Sequence, residues 1–163
     1  MIQGVVALDE HDRAILRLLQ HDDRLTNAAV GLRVGLSAPA VFERVRKLER
    51  QGVITGYRAQ VSAQSVGLSV TAFVAVGLES TEHCRSIAPM LSRFPLVEEC
   101  HSVAGEWDIM LKVRAATPKD LEDFLYELKR VAGVSRTVTT VALSTPFEAR
   151  PINIGEPAPN EVA

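Results

Sequence analysis

Arg44, Arg46, Lys47 and Arg50 crowd one short stretch of the chain, interrupted only by Glu49 among the acids and preceded by Glu43. Cations so spaced can neutralise phosphates, and a guanidinium can fork onto a guanine edge. A helical wheel of Ser37–Gln51 puts Val41, Val45 and Leu48 on one side. Pro39, Ala40, Glu43, Arg46, Lys47 and Arg50 fall roughly opposite, with Arg44 on the flank, placed for a phosphate or a structural contact. Glu43 is suited to accept a hydrogen bond from a cytosine amino group. Ser37 and the free N–H groups that begin such a helix suit a phosphate oxygen. Other chemistry is poorly represented. His83-Cys84 and Cys100-His101 are neighbours in sequence, and neighbours on a strand point to opposite faces, so packing is expected of them rather than metal ligation. No nucleophile with its base, phosphate-binding glycine loop or paired-carboxylate site stands out, and an enzyme is not expected.

Three helices must position the basic stretch. Asp9 reads as an N-cap for a helix carrying Ile15, Leu16 and Leu19 at helical spacing, ended by His21-Asp22-Asp23. Thr26 caps a short second helix, and Gly35 suits a left-handed exit from it. Ser37 caps a third that runs from Ala38 to about Gln51, with Pro39 harmless in its first turn and Gly52 stopping it. The layout from Asn27 to Arg46 is that of a helix-turn-helix, with Gly31 where the two helices cross closely. Such a motif enters the major groove with its second helix while the first braces it.

Beyond residue 68 the pattern changes. Ser69–Glu79, Val97–Val103, Asp108–Arg114 and Val134–Leu143 read as strands. Glu82–Phe94, which Pro89 should kink, and a helix capped by Thr117 read as helical. The order β-α-β-β-α-β predicts a ferredoxin-like antiparallel sheet with two helices on one face. The fold class is therefore α+β: an N-terminal winged helix-turn-helix followed by a ferredoxin-like βαββαβ domain. The expected boundaries are 1–58 for DNA binding, 59–68 for a linker or hinge strand, 69–148 for the sheet domain and 149–163 for a tail. The tail lacks periodicity and should be flexible unless it docks.

The chain has 163 residues, 47% of them apolar, and a formal net charge of −2. That total hides an asymmetry. Residues 1–58 hold nine Lys/Arg against seven Asp/Glu, and residues 59–163 nine against thirteen. Because salt screens charge beyond about 10 Å, a focused basic patch matters more than the sum. No apolar run approaches the roughly 20 residues of a membrane span, and the first ten residues do not read as a signal peptide. Cys84 and Cys100 are expected to be reduced thiols in a cytoplasmic protein.

Leu8-Asp9, Asp12, Ile15-Leu16, Arg24, Val34-Gly35-Leu36-Ser37, Glu43-Arg44-Val45-Arg46-Lys47-Leu48-Glu49, Gly52-Val53-Ile54 and Gly56-Tyr57 resemble the N-terminal signature of the Lrp/AsnC transcriptional regulators, in order and spacing. Glu99–Asp108 resembles the hairpin of that family's effector domain, and Gly133-Val134 with the closing strand also fits. The second helix departs from the pattern, with Ala29-Val30-Gly31 where the family usually has an acid, Leu and a small Ala or Ser, so a less stable helix is expected. The resemblance implies a regulator that binds double-stranded DNA and self-associates into dimers and higher assemblies. It implies no cofactor, no membrane partner and a small-molecule effector, usually an amino acid, held where dimers meet. The implied effector positions are Ser102, Val103, Gly105, Glu106 and Asp108 of the hairpin, with Thr139, Thr140 and Val141 of the last strand. A turn's free N–H groups can take an α-carboxylate, and Asp108 an α-ammonium. The alternatives are an architectural DNA-coating protein and a stand-alone amino-acid-sensing module.

Overall fold

The computed structural model describes residues 5–80 and 86–155. They divide into two compact units. The residues up to Ala59 join those from Phe147 onward in one, and Gln60–Pro146 form the other.

In the first unit α1 is Glu10–His21, α2 Asn27–Val34 and α3 Ala38–Arg50. Each begins at the cap its sequence implies: Asp9, Thr26 and Ser37 accept from the N–H groups of Asp12, Ala29 and Ala40 respectively. Gly35 ends α2 at φ 72°, a left-handed conformation that suits glycine. Ile15, Val30 and Val41, one from each helix, are buried together, with Leu25, Leu36 and Val45 packed around them. Gly31 is buried at the α2–α3 turn, where an added Cβ would stand 2.4 Å from the Leu36 carbonyl oxygen. The close approach at Gly31 is thus present, made against the backbone of the turn that leads into α3.

The tail does not run loose over its described length. Arg13 donates to the Ile154 carbonyl at 2.6 Å and Arg17 to the Gly155 carbonyl at 2.9 Å. The Gln20 side chain pairs with Ile152 in both directions, donating to its carbonyl at 3.2 Å and accepting from its N–H at 2.7 Å. Arg13, Arg17 and Gln20 stand four and three positions apart, so one stripe of α1 holds the strap. Lack of periodicity, which suggested flexibility, carries no information about main-chain groups held by distant side chains.

The second unit is a four-stranded antiparallel sheet of β1 (Val70–Leu78), β2 (Val97–Ser102), β3 (Ile109–Ala115) and β4 (Val134–Val141), in the order β2-β3-β1-β4. A short α4 (Ala88–Leu91) follows β1, and α5 (Pro118–Leu128) follows β3. This is the predicted ferredoxin-like order. Thr117 and Asp120 close a reciprocal capping box on α5. β3 alternates buried and half-buried residues along its length, as a strand with one covered face must. Val74, Val76, Leu111 and Val113 meet Leu91, Leu121, Phe124 and Leu128 in the core. Phe94 packs edge-on against Phe124 at 5.3 Å between ring centroids. The other face leaves Phe73 and Val138 about half exposed.

Two expectations need adjustment. The predicted helix Glu82–Phe94 is helical over Ala88–Leu91, and its first half, with His83 and Cys84, lies partly outside the described residues. The linker pairs with no strand among the described residues and instead holds a 3-10 turn at Gln64–Val66. A strand needs a partner's backbone, and none is offered here among the described residues.

Candidate functional site

α3 turns Val41 and Leu48 fully inward and leaves Pro39, Glu43, Arg46 and Arg50 exposed on its other side. Ser37, at its cap, is exposed, while Ala40 and Lys47 are half-buried. The helical wheel read from the sequence is therefore correct in outline. A shallow open depression beside the ridge is lined by Asp9, Ala40, Glu43, Arg44, Lys47 and Arg50.

Arg44 separates from the other cations. Its Nη1 donates to Asp9 Oδ2 at 2.6 Å and to Asp12 Oδ1 at 2.7 Å. The Asp12 side chain is 1% exposed, and Lys47 Nζ approaches its second oxygen at 3.7 Å. Of the two roles open to Arg44, phosphate or structural contact, the structural one is visible in the fold, where Arg44 ties α3 to the start of α1. Desolvation pulls the Asp9 carboxyl upward, but the Asp12 N–H and the Arg44 guanidinium outweigh it and hold it below the ordinary carboxylate range. The hydrogen bonds to Asp9 and Asp12 raise Arg44 further above its already high value. Asp9 and Asp12 were legible as helix-start residues, and only the packing of α1 on α3 shows their second use.

Phe42 was not foreseen. It lies outside the 41/45/48 apolar stripe, is 45% exposed, and has the Arg46 guanidinium 5.4 Å from its ring centroid. The sequence did carry a signal: an aromatic off the buried stripe, one turn before an arginine. Near the end of α3, Tyr57 donates to Glu49 at 2.9 Å, and burial, then that bond, pushes its hydroxyl up to about 12.

In the sheet unit, Ser102, Val103, Gly105 and Glu106 are exposed in and beside the β2–β3 turn. Gly105 sits at φ 149° with open space where a Cβ would be. The turn is braced on two sides. Asp108 Oδ2 accepts from the Leu78 N–H at 2.8 Å, and the Asp108 N–H donates to the Val76 carbonyl at 3.1 Å. Arg136 of β4 donates to the Glu106 carbonyl at 3.1 Å and lies over the Trp107 ring at 4.2 Å. Gly77 makes room for it, since a Cβ there would meet Arg136 Cγ at 2.8 Å.

Thr139, Thr140 and Val141 are not part of that cluster within one chain. Thr139, Thr140 and Val141 pair with Val74, Phe73 and Ala72, two to four residues along β1 from the Val76 that anchors the turn. At roughly 3.3 Å per residue this is about 7–13 Å. The implied effector residues thus lie at two stations along the sheet. Cys100 is a free, exposed cysteine, and His101 bonds Glu99 at 3.1 Å. Among the described residues no three His, Cys, Asp or Glu side chains gather as a metal site would require, and no helix is long and apolar enough to cross a membrane.

Comparison with known proteins accounts for both units. Residues 8–55 match the model of a winged helix-turn-helix DNA-binding domain, and residues 71–152 that of the Lrp/AsnC ligand binding domain. The chain is 40% identical over 144 residues to the HTH-type transcriptional regulator LrpA of Mycobacterium tuberculosis, covering 88% of this chain and 95% of the relative. It is 44% identical over 124 residues to the leucine-responsive regulatory protein of Rhizobium meliloti, covering 75% and 80%. Among solved structures, E. coli AsnC superposes with a TM-score of 0.82 at 27% identity, over 88% of this chain and 97% of that one. The transcriptional regulator NMB0573 of Neisseria meningitidis, in complex with L-Met, superposes at 0.84 and 28% identity, over 90% and 96%.

Proposed function

Because this chain belongs to the Lrp/AsnC family, a family of DNA-binding transcriptional regulators and not of enzymes, we propose that it grips double-stranded DNA with the outward ridge of α3 and answers to a small effector of the amino-acid class on its sheet unit. One observation carries the first half. A capped helix with its apolar side fully buried holds Arg46 and Arg50 out on the far side, in the order a major-groove reader needs. Ser37, Pro39, Ala40, Glu43, Arg46 and Arg50 form the contact surface, with Lys47 at its margin. Arg44 contributes as the brace that orients the ridge.

The purified full chain should bind duplex DNA with an affinity that falls steeply with salt. The double substitution Arg46→Ala/Arg50→Ala is expected to weaken binding at least tenfold at low salt and to flatten the salt dependence. Because both side chains are exposed, melting should be unchanged. Unaltered affinity would refute this surface.

For the effector, the turn's main-chain N–H groups around Gly105 suit a carboxylate. Asp108, whose second oxygen has acceptor capacity beyond the Leu78 bond, suits an ammonium. L-methionine is bound by the Neisseria relative, which supports an amino acid. The separation of the turn from Thr139–Val141 favours a pocket completed by a neighbouring copy. The half-exposed Phe73 and Val138 on the open sheet face support self-association. Titration with the common amino acids should give saturable heat with at least one. Absence of heat together with absence of any melting shift would count against an effector.

A further inference from the structure

Phe42 brings an aromatic ring to the surface of the helix proposed to face DNA, next to one of its exposed cations. It is 45% exposed, between Arg46 one turn on and Pro39 one turn back, on the flank of α3 between the buried stripe of Val41 and Leu48 and the outward ridge. Its ring offers nothing to a phosphate, having neither donor nor charge. In the major groove the one apolar feature a base pair presents is the C5 methyl of thymine. Arg46 lies over the ring at 5.4 Å. A guanidinium held beside an aromatic face by cation–π attraction spends none of its N–H groups on that contact, and those match guanine O6 and N7 in a bidentate fork. That contact restrains a long, flexible side chain before DNA arrives. Residues four apart on a helix are separated by about 6 Å along the axis, and base pairs by about 3.4 Å, so both can reach bases at most two steps apart.

We infer that Phe42 and Arg46 form a two-residue reading head that selects a thymine methyl within two base pairs of a guanine in each half-site. This rests on α3 being the DNA-reading helix and names what that helix reads. Glu43 and Arg46 are exposed neighbours on the same helix, so the surface is polar and charged beside a small apolar centre. That suits a groove floor dotted with methyls better than a broad apolar protein partner.

The experiment uses the full chain and a duplex selected by it from a random-sequence library. Each thymine of that duplex is replaced singly by deoxyuridine, which removes only the methyl, and each guanine singly by 7-deazaguanine, which removes only N7. Wild type should lose about three- to tenfold in affinity at one thymine per half-site, the worth of one buried methyl. It should lose affinity again at a guanine within two base pairs. The Phe42→Ala variant should bind the parent duplex as weakly as wild type binds the uracil duplex, and should be indifferent to the methyl at that position alone. Arg46→Ala should likewise be indifferent to that guanine's N7. The inference is overturned if Phe42→Ala binds the parent as tightly as wild type, or if it keeps the full methyl dependence at every thymine. It is also overturned if the sensitive thymine and guanine lie further apart. Failure of wild type to select any duplex would be a different result, removing the DNA reading of α3 itself. Melting of Phe42→Ala is expected to match wild type, because the ring lies outside the buried core.

Discussion

Asp12 is buried to 1% exposure, and Arg44 is its closest partner. Taking away one member of a buried ion pair leaves an uncompensated charge, which typically costs about 3–5 kcal/mol. Lys47, already 3.7 Å away, can absorb part of that. Arg44→Ala is therefore expected to cost about 3 kcal/mol in chemical denaturation of the N-terminal unit, and to weaken DNA binding through loss of folded protein. Asp9 allows a subtler test. Its carboxyl lies lower in the folded protein than in the unfolded chain, so the unfolded state binds the proton more readily. The stability this contributes is complete above the unfolded value, near pH 4, and is lost as pH falls through the lower folded value. Asn caps a helix as well as Asp. Asp9→Asn should thus cost less than about 1 kcal/mol at pH 7 and reduce the loss of stability below about pH 4, read from denaturant midpoints between pH 2 and pH 7.

Among the elements, α2 is the one whose sequence argues with itself. It is eight residues long and has no acid in its first turn, and glycine at position 31 lowers its intrinsic helicity by about 1 kcal/mol relative to alanine. Alanine would recover that propensity, but its Cβ would stand 2.4 Å from the Leu36 backbone oxygen. Backbone cannot rotate away as a side-chain tip can. Gly31→Ala is expected to destabilise the N-terminal unit by about 1–3 kcal/mol, measurable as a lower urea midpoint with an unchanged slope. A propensity scale alone points the other way, so the sign of this result tests the close approach of Gly31 to the turn directly.

Across the whole chain, β4 leads through residues 142–146 into the strap on α1, so the C-terminal segment belongs to the same unit as the helix-turn-helix. Gln20 matters more to this strap than its exposure suggests, because its amide satisfies both main-chain groups of Ile152. Gln20→Ala should speed hydrogen exchange at the Ile152 amide and lower the stability of the N-terminal unit by about 0.5–1.5 kcal/mol, the net worth of such bonds. Unchanged exchange at Ile152 would mean that the strap is held elsewhere. The formal charge of −2 is of little consequence for DNA binding beside where the charges lie, since screening makes the α3 ridge a local field.

What the residues alone determined is whatever depends on neighbours in sequence. The caps Asp9, Thr26, Ser37 and Thr117, the left-handed Gly35, the buried stripe of Val41 and Leu48, and the order of strands and helices all follow from periods of two or 3.6 and from contacts three or four positions apart. Family likeness added the two activities, because its motifs summarise contacts that one sequence does not display. Tertiary structure alone decided the rest. It assigned Arg44 to Asp9 and Asp12 across 35 and 32 positions of chain, left Phe42 half exposed beside Arg46, and put Thr139–Val141 two to four residues along β1 from the anchor of the turn at Val76. It also brought Ile152 back to Gln20. Partners so distant in sequence are chosen by the packing of elements against one another, and no local pattern encodes which cation faces inward or which strand end a turn adjoins.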